Sequence, residues 1–185
     1  MSQTTPQLSA EERALVELCV AGDERAFAIL YRRWHPRWAR FAHWLVGNRD
    51  DSGDVMQEAA LAIARNIHRL KDVNQFKAWS FTIIRRRAAD HIRGAVRLRE
   101  IREALTLAQQ SPEVTPAADT TLESLFAALG AEDKRLLILF YEYGFTVAEI
   151  GRVLAVPAGT VKSRLFNARK RLREAADIEL TGEPT

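Results

Sequence analysis

Apolar residues recur at intervals of three and four along almost the whole chain, and no stretch alternates apolar and polar residues as a half-buried strand would. This spacing gathers apolar side chains on one face of a helix. It predicts an all-α protein in which Gly47 to Asp51 form a turn and Pro36 kinks or divides a long helix. The first four predicted helices cover about 10–21, 23–46, 51–70 and 76 onward into an arginine-rich stretch.

The composition changes near residue 103. Residues 111–116, Ser-Pro-Glu-Val-Thr-Pro, cannot continue a helix and offer few apolar residues to pack. We therefore expect two small helical domains, over 10–98 and 121–177, joined by a flexible linker over 99–120. Two amphipathic helices are predicted to open the second domain, with apolar residues Leu122, Leu125, Phe126 and Leu129, then Leu136, Leu137, Leu139 and Phe140.

Several classes of protein do not fit this composition. No apolar run approaches the roughly 18–20 residues that cross a bilayer, and the polar N-terminus carries no secretion signal. The single cysteine, Cys19, supplies no disulfide and no thiolate metal site, as in a reducing cytosol. The histidines form no His-Glu-x-x-His pattern, and neither a glycine-rich phosphate loop nor a Gly-x-Ser-x-Gly motif occurs. We expect no enzyme, metal, cofactor or small-molecule substrate.

The basic residues are clustered, although 27 bases and 24 acids leave a formal net charge of only +3. Residues 1–24 hold five acids and one base, residues 85–102 hold seven arginines and two acids, and residues 162–173 hold six bases and no acid. Two separated basic segments are what a protein that neutralises phosphates in two places needs. Taken alone, such charge runs are more typical of two solvated helix faces.

The second basic segment follows a helix-turn-helix pattern. Thr146 and Glu149 have the spacing of a capping box. Ala155-Val156 is a short turn, and Pro157 suits the first position of the next helix. The predicted buried stripe of that helix is Val161, Leu165, Ala168 and Leu172. In such a motif the second helix enters the major groove of DNA; the residues left outside are Thr160, Lys162, Ser163, Arg164, Asn167, Lys170 and Arg171. An antiparallel helix pair with a basic face is the alternative.

Two more patterns precede the linker. Asp54, Gln57 and Glu58 share one face of the third helix and could accept hydrogen bonds from a basic partner. Acids near a helix start also favour the helix dipole, so this pattern is weak by itself. From Phe76 to Arg93, aromatic residues are interleaved with arginines, which suits single-stranded bases stacked on rings. These aromatic residues are also explained as core, and we expect that of Trp79.

Together these motifs resemble the sigma factors of bacterial RNA polymerase, specifically the small extracytoplasmic-function group. The resemblance covers about 23–95, the family's region 2, and 121–174, its region 4. The motifs that carry it are Asp54-Val55-Met56-Gln57-Glu58, then Phe76-Lys77-Ala78-Trp79 through Asp90-His91-Ile92-Arg93, then Glu149-Ile150-Gly151 with Gly159-Thr160-Val161-Lys162-Ser163-Arg164-Leu165.

The resemblance implies a cytoplasmic initiation factor that binds the β and β′ subunits of core RNA polymerase and promoter DNA. It also implies an anti-sigma factor, often membrane-bound, that holds the protein inactive until a stress signal. The residues implied to bind the β′ clamp helices are Asp54, Gln57, Glu58 and Leu61. Those implied to recognise and open the −10 element are Lys71, Asp72, Asn74, Arg85, Arg86 and Arg93. Those implied to recognise the −35 duplex are Thr160, Lys162, Ser163, Arg164, Asn167 and Arg171.

The chain departs from the family pattern at three positions. Arg86 stands where asparagine is usual, which favours a phosphate contact there over the usual −10 contact. Gly151 and Ala155 stand where alanine and glycine are more usual. Two interpretations other than a sigma factor remain: an enzyme, and a stand-alone helix-turn-helix repressor or activator that binds duplex DNA without polymerase.

Overall fold

The computed structural model describes residues 8–105 and 129–181 of the chain. These two stretches form two compact units. Both are helical, and no strand occurs in either of them, so the predicted all-α fold is confirmed. The predicted helix with Leu122, Leu125 and Phe126 lies outside the described residues, as does most of the predicted linker.

Four helices and two short 3-10 segments make up residues 8–105. They are α1 (Ala10–Val20), α2 (Glu24–Val46), α3 (Arg49–Asn66), the 3-10 turns Ile67–Arg69 and Val73–Gln75, and α4 (Phe76–Leu105). α3 begins two residues earlier than predicted because the side-chain oxygen of Asn48 caps it, accepting the Asp51 N–H at 2.8 Å. α2 continues unbroken through Pro36, whose side chain is exposed.

Aromatic side chains from α2 and α4 build the core of this unit. Trp34 meets Phe76 edge to face at 5.4 Å between ring centroids, and Phe41 lies 4.9 Å from Phe81. The Trp38 indole N–H donates to Ser80 Oγ at 3.2 Å, which satisfies both buried polar groups. Trp79, expected in the core, is half-buried. This core fixes α4 against α2, and α3 packs on both helices.

Three helices make up residues 129–181. α5 (Ala131–Leu137) continues as a π-helical turn over Ile138–Glu142, and α6 (Val147–Leu154) and α7 (Ala158–Thr181) follow. Val161, Leu165 and Ala168 are buried and Leu172 is half-buried, as the spacing predicts. α5 and α6 both pack on α7.

Two boundaries differ from the sequence analysis. α4 extends to Leu105, past the predicted domain end at residue 98. Pro157 occupies the capping position before α7 rather than its first turn, and its carbonyl accepts the Val161 N–H at 3.1 Å. The domain limits 10–98, 99–120 and 121–177 stay predictions.

Candidate nucleic-acid interface and partner surface

The first candidate surface lies on α3. Asp54, Gln57, Glu58 and Leu61 are all exposed, and 51% of Leu61 is accessible to solvent. Their spacing of three and four residues places them on one side of the helix, and we call them the α3 surface. Gln57 and Leu61 also line a groove of about 710 Å³ between α2 and α3. A partner that contacts the α3 surface would thus meet carboxylates beside an apolar depression.

The N-terminus of α3 is fastened to α4. The Asn48 side-chain amide donates to Asp51 Oδ2 at 2.6 Å, and His91 Nε2 on α4 lies 3.1 Å from Asp51 Oδ1. The hydrogen bond from Asn48 and then that from His91 lower the pKa of Asp51 from its ordinary value. Asp51 therefore stays ionised and helps to set the position of α3 relative to α4.

The loop between α3 and α4 is organised around Asp72. Its carboxylate accepts the Asn74 backbone N–H at 2.9 Å, the Asn74 side-chain amide at 3.0 Å and the Gln75 side-chain amide at 3.2 Å. The first of these bonds, and then that from Gln75, lower the pKa of Asp72. Lys71 and Asn74 are exposed. The loop is therefore a capped turn held by its own hydrogen bonds.

The arginines predicted on α4 fall into two environments. Arg86 and Arg93 are exposed, and their seven-residue spacing places them on one side of the helix. Arg93 is hydrogen-bonded to Asp90. Arg85 is half-buried, and its Nε has no hydrogen-bond partner among the described residues. Of the three, Arg86 and Arg93 are therefore the ones exposed to solvent.

The predicted capping box and turn form the helix-turn-helix. Thr146 Oγ1 accepts the Glu149 N–H at 3.2 Å, and Glu149 Oε2 accepts the Thr146 N–H at 2.7 Å. Ala155 ends α6 in the left-handed region at φ 57°, and its N–H donates to the Gly151 carbonyl. A Cβ on Gly151 would lie 2.8 Å from the carbonyl oxygen of Val156. The backbone of the turn is therefore the close neighbour of Gly151, and Ala158 N at the start of α7 lies 3.6 Å from the same Cβ position.

α7 carries the predicted −35 residues in two environments. Lys162, Ser163 and Asn167 are exposed on its solvent side, while Thr160 is half-buried and accepts the Ser163 hydroxyl at its carbonyl. Arg164 and Arg171 instead face acids of α5. The structure adds one residue that the sequence analysis missed: Phe166, 68% exposed beside Asn167. Its position outside the buried stripe was the available signal.

Two further features of the described residues concern metal ligands and the cysteine thiol. Three or more metal-ligating side chains do not come together anywhere in 8–105 or 129–181. Burial, and then the charge of Asp23, raise the pKa of the Cys19 thiol to about 11, so this thiol is a poor nucleophile at neutral pH. Among the described helices, none is long and apolar enough to span a membrane.

Comparison with known families assigns the chain. The model of sigma-70 region 2 matches residues 30–98, and that of sigma-70 region 4 matches residues 120–172. The chain belongs to the sigma-70 family. The first match includes the α3 surface and Arg86 and Arg93 of α4, and the second includes the helix-turn-helix. The resemblance inferred from the sequence is confirmed.

Relatives place this sigma factor in the extracytoplasmic-function (ECF) group. It is 28% identical over 176 residues to the ECF RNA polymerase sigma factor SigM of Mycobacterium tuberculosis, across 92% of this chain and 89% of SigM. It is 28% identical over 188 residues to SigK of the same species, across 94% of this chain and 97% of SigK. As a sigma factor, it binds core RNA polymerase and directs transcription from promoter DNA.

Solved structures agree with the assignment. The sigma factor RpoE of Bartonella quintana, crystallised with the anti-sigma factor NepR, matches with a TM-score of 0.61 and 25% identity, across 82% of this chain and 97% of that one. CnrH, solved with the cytosolic domain of CnrY, matches in fold with a TM-score of 0.60 and 24% identity, across 90% of this chain and 97% of that one.

Proposed function

We propose that this sigma factor uses three separate surfaces for its three contacts. The α3 surface binds core polymerase, the α3–α4 loop with Arg86 and Arg93 binds the −10 element, and the solvent side of α7 binds the −35 duplex. One observation carries the proposal: α7 is the second helix of the helix-turn-helix, and it has no acid among residues 158–173. Such a helix attracts the phosphates that flank a major groove.

Base recognition at −35 is assigned to the exposed α7 residues. Asn167 has the donor and acceptor pair that adenine requires, and Lys162 supplies a positive charge for guanine or phosphate. Phe166 presents a ring that can contact a thymine methyl group. These residues act on duplex DNA, whereas the α4 residues act where the strands separate.

The energy for strand opening comes from binding. The described residues hold no metal-ligating cluster, and the Cys19 thiol is protonated at neutral pH. Because the chain is a sigma factor, the action that we assign to it is binding without a catalytic step, in the cytoplasm, where polymerase and DNA meet. An anti-sigma factor, as bound by RpoE of Bartonella quintana, is the proposed regulator.

Run-off transcription with purified core polymerase on a pooled promoter library tests the assignment. Specific transcripts are expected only when the protein is added. Lys162→Ala should reduce transcripts that depend on a −35 sequence by roughly tenfold, the loss of about 1–2 kcal/mol of contact energy. Arg25→Ala removes the same charge from an exposed position on α2 and should leave those transcripts unchanged.

A different outcome would favour the repressor reading. If no transcripts appear, if the protein does not co-elute with core polymerase, and if it binds duplex DNA alone, the sigma assignment of the surfaces fails. Equal loss in Lys162→Ala and Arg25→Ala would mean that only overall charge matters, and it would remove α7 from the −35 site.

A further inference from the structure

Three arginines of α7 contact other groups of the same unit, aromatic rings on one flank of the helix and acids on the other. The Arg169 guanidinium carbon lies 5.0 Å from the Phe140 ring centroid and 5.5 Å from that of Tyr141. On the other flank, Arg164 and Arg171 are seven residues apart and so face the same side of α7. That side meets the first turn of α5, where two acids stand in sequence, Glu132 and Asp133.

Asp133 is the more enclosed of these acids. Only 13% of its side chain is exposed, and its Oδ2 accepts a hydrogen bond from Arg171 Nη1. A carboxylate with so little solvent needs a cation beside it, and removing that cation is costly. Arg171, whose own side chain is 52% exposed, is therefore paired with an enclosed acid of the same unit and ties the start of α5 to α7.

Glu132 makes a much weaker contact. Its Oε1 accepts a hydrogen bond from Arg135 Nη1 at 2.7 Å, whereas its Oε2 is 3.7 Å from Arg164 Nη1, too far for a hydrogen bond. The side chains of Glu132 and Arg164 are 59% and 41% exposed. Such a pair is screened by solvent and easily exchanged. Arg164 can leave Glu132 when a phosphate approaches.

We propose that Asp133 and Glu132 are positioning residues of the −35-recognition helix. Asp133 keeps Arg171 as a brace between α5 and α7, so that Arg171 acts through the fold of the unit. Glu132 competes with DNA for Arg164 and thereby limits promoter affinity. This inference rests on the proposed role of α7 at the −35 duplex.

The Glu132 part is tested with the full chain assembled on core polymerase. The affinity for a labelled −35-containing duplex promoter is measured for Glu132→Gln, with Arg164 intact and in an Arg164→Gln background. Glu132→Gln should raise the affinity about two- to fivefold, because an exposed ion pair contributes up to about 1 kcal/mol. The gain should vanish when Arg164 is replaced. Glu142→Gln, which removes the same charge from another exposed side chain of the unit, should change the affinity by less.

The Asp133 part is tested by the salt dependence of the same binding. Asp133→Asn and Arg171→Gln should weaken binding to a similar degree, and the double variant should be no weaker than either alone. The slope of log affinity against log salt should stay that of the wild type, because no phosphate contact is lost. A phosphate contact by Arg171 would instead reduce the slope by about one unit in Arg171→Gln only. Arg171→Lys keeps a cation next to Asp133 and should restore most of the affinity.

The outcomes separate the two proposals. If scrambling the −35 sequence leaves wild-type binding unchanged, the proposed function of α7 itself fails. If binding depends on the −35 sequence but the Glu132→Gln gain is absent or persists without Arg164, the competition is overturned. A reduced salt slope in Arg171→Gln alone overturns the brace. Thermal unfolding of each variant identifies any that lose affinity by unfolding, and Arg171→Lys then decides the case.

Discussion

Ala155 has a backbone conformation that residues with a side chain rarely adopt. At φ 57° and ψ 43° it is the only non-glycine with positive φ in residues 8–105 and 129–181. The left-handed region costs an L-residue roughly 1–2 kcal/mol, which glycine avoids. Glycine loses about 0.4–1 kcal/mol of this advantage through the greater entropy of its unfolded chain. The difference between these two free energies still favours glycine over alanine at position 155.

Ala155→Gly should therefore raise the free energy of unfolding by about 0.5–1 kcal/mol. Chemical denaturation followed by far-ultraviolet circular dichroism measures the change. Ala148→Gly is the matched control, because Ala148 is exposed in the first turn of α6, where glycine should lower the free energy of unfolding by up to about 1 kcal/mol. A loss of stability in both variants would contradict the strain at Ala155.

Gly151 avoids a close contact that a side chain at this position would make with the turn. A methyl group on Gly151 would lie 2.8 Å from the Val156 carbonyl oxygen, which belongs to the backbone of the turn and cannot rotate away. The Val156 N–H also donates to the Gly151 carbonyl at 2.9 Å. Gly151 and Ala155 both depart from the family pattern. The structure shows that Ala155 is strained, whereas Gly151 avoids a close contact.

At the scale of helices, most of the fold follows from local sequence. The stripe Val161, Leu165 and Ala168 and the capping box at Thr146 were predictable because neighbours three and four apart in sequence are neighbours in a helix. The α3 surface was predictable for the same reason. The start of α3 was not, because Asn48 could equally well have continued a turn. The Arg171–Asp133 pair was also out of reach, because 38 residues separate its partners.

The two capping boxes allow a test at this scale. Ser9 and Glu12 cap α1 as Thr146 and Glu149 cap α6. Thr146→Ala should cost about 1 kcal/mol and raise hydrogen exchange of the α6 amides about fivefold, while α1 is unchanged. Ser9→Ala should instead raise hydrogen exchange of the α1 amides and leave α6 unchanged. Peptide-level hydrogen exchange measures both, and equal effects of each variant on both helices would show that the caps do not act locally.

At the scale of the molecule, the proposal separates polymerase binding from DNA binding. The α3 surface belongs to residues 8–105, and α7 belongs to the other unit. The charges are separated in the same way, because α3 presents Asp54 and Glu58 whereas α7 has no acid before Glu174. A change of charge on α3 should therefore affect assembly with polymerase at every promoter. A change on α7 should affect only promoters that depend on the −35 sequence.

Reversing the charge of the α3 surface tests this separation. Asp54→Lys/Glu58→Lys places cations opposite the basic partner surface that the sequence pattern predicts, where like charges repel. We expect at least tenfold weaker binding to core polymerase, about 1.4 kcal/mol or more, and loss of transcription at all promoters. Glu17→Lys/Glu100→Lys makes the same change of net charge at exposed sites on α1 and α4 and should bind core polymerase nearly as well as the wild type. If both double variants weaken polymerase binding equally, overall charge and not the α3 surface governs assembly. If the α3 variant binds normally while its transcription falls, polymerase binding lies elsewhere and α3 acts at a later step.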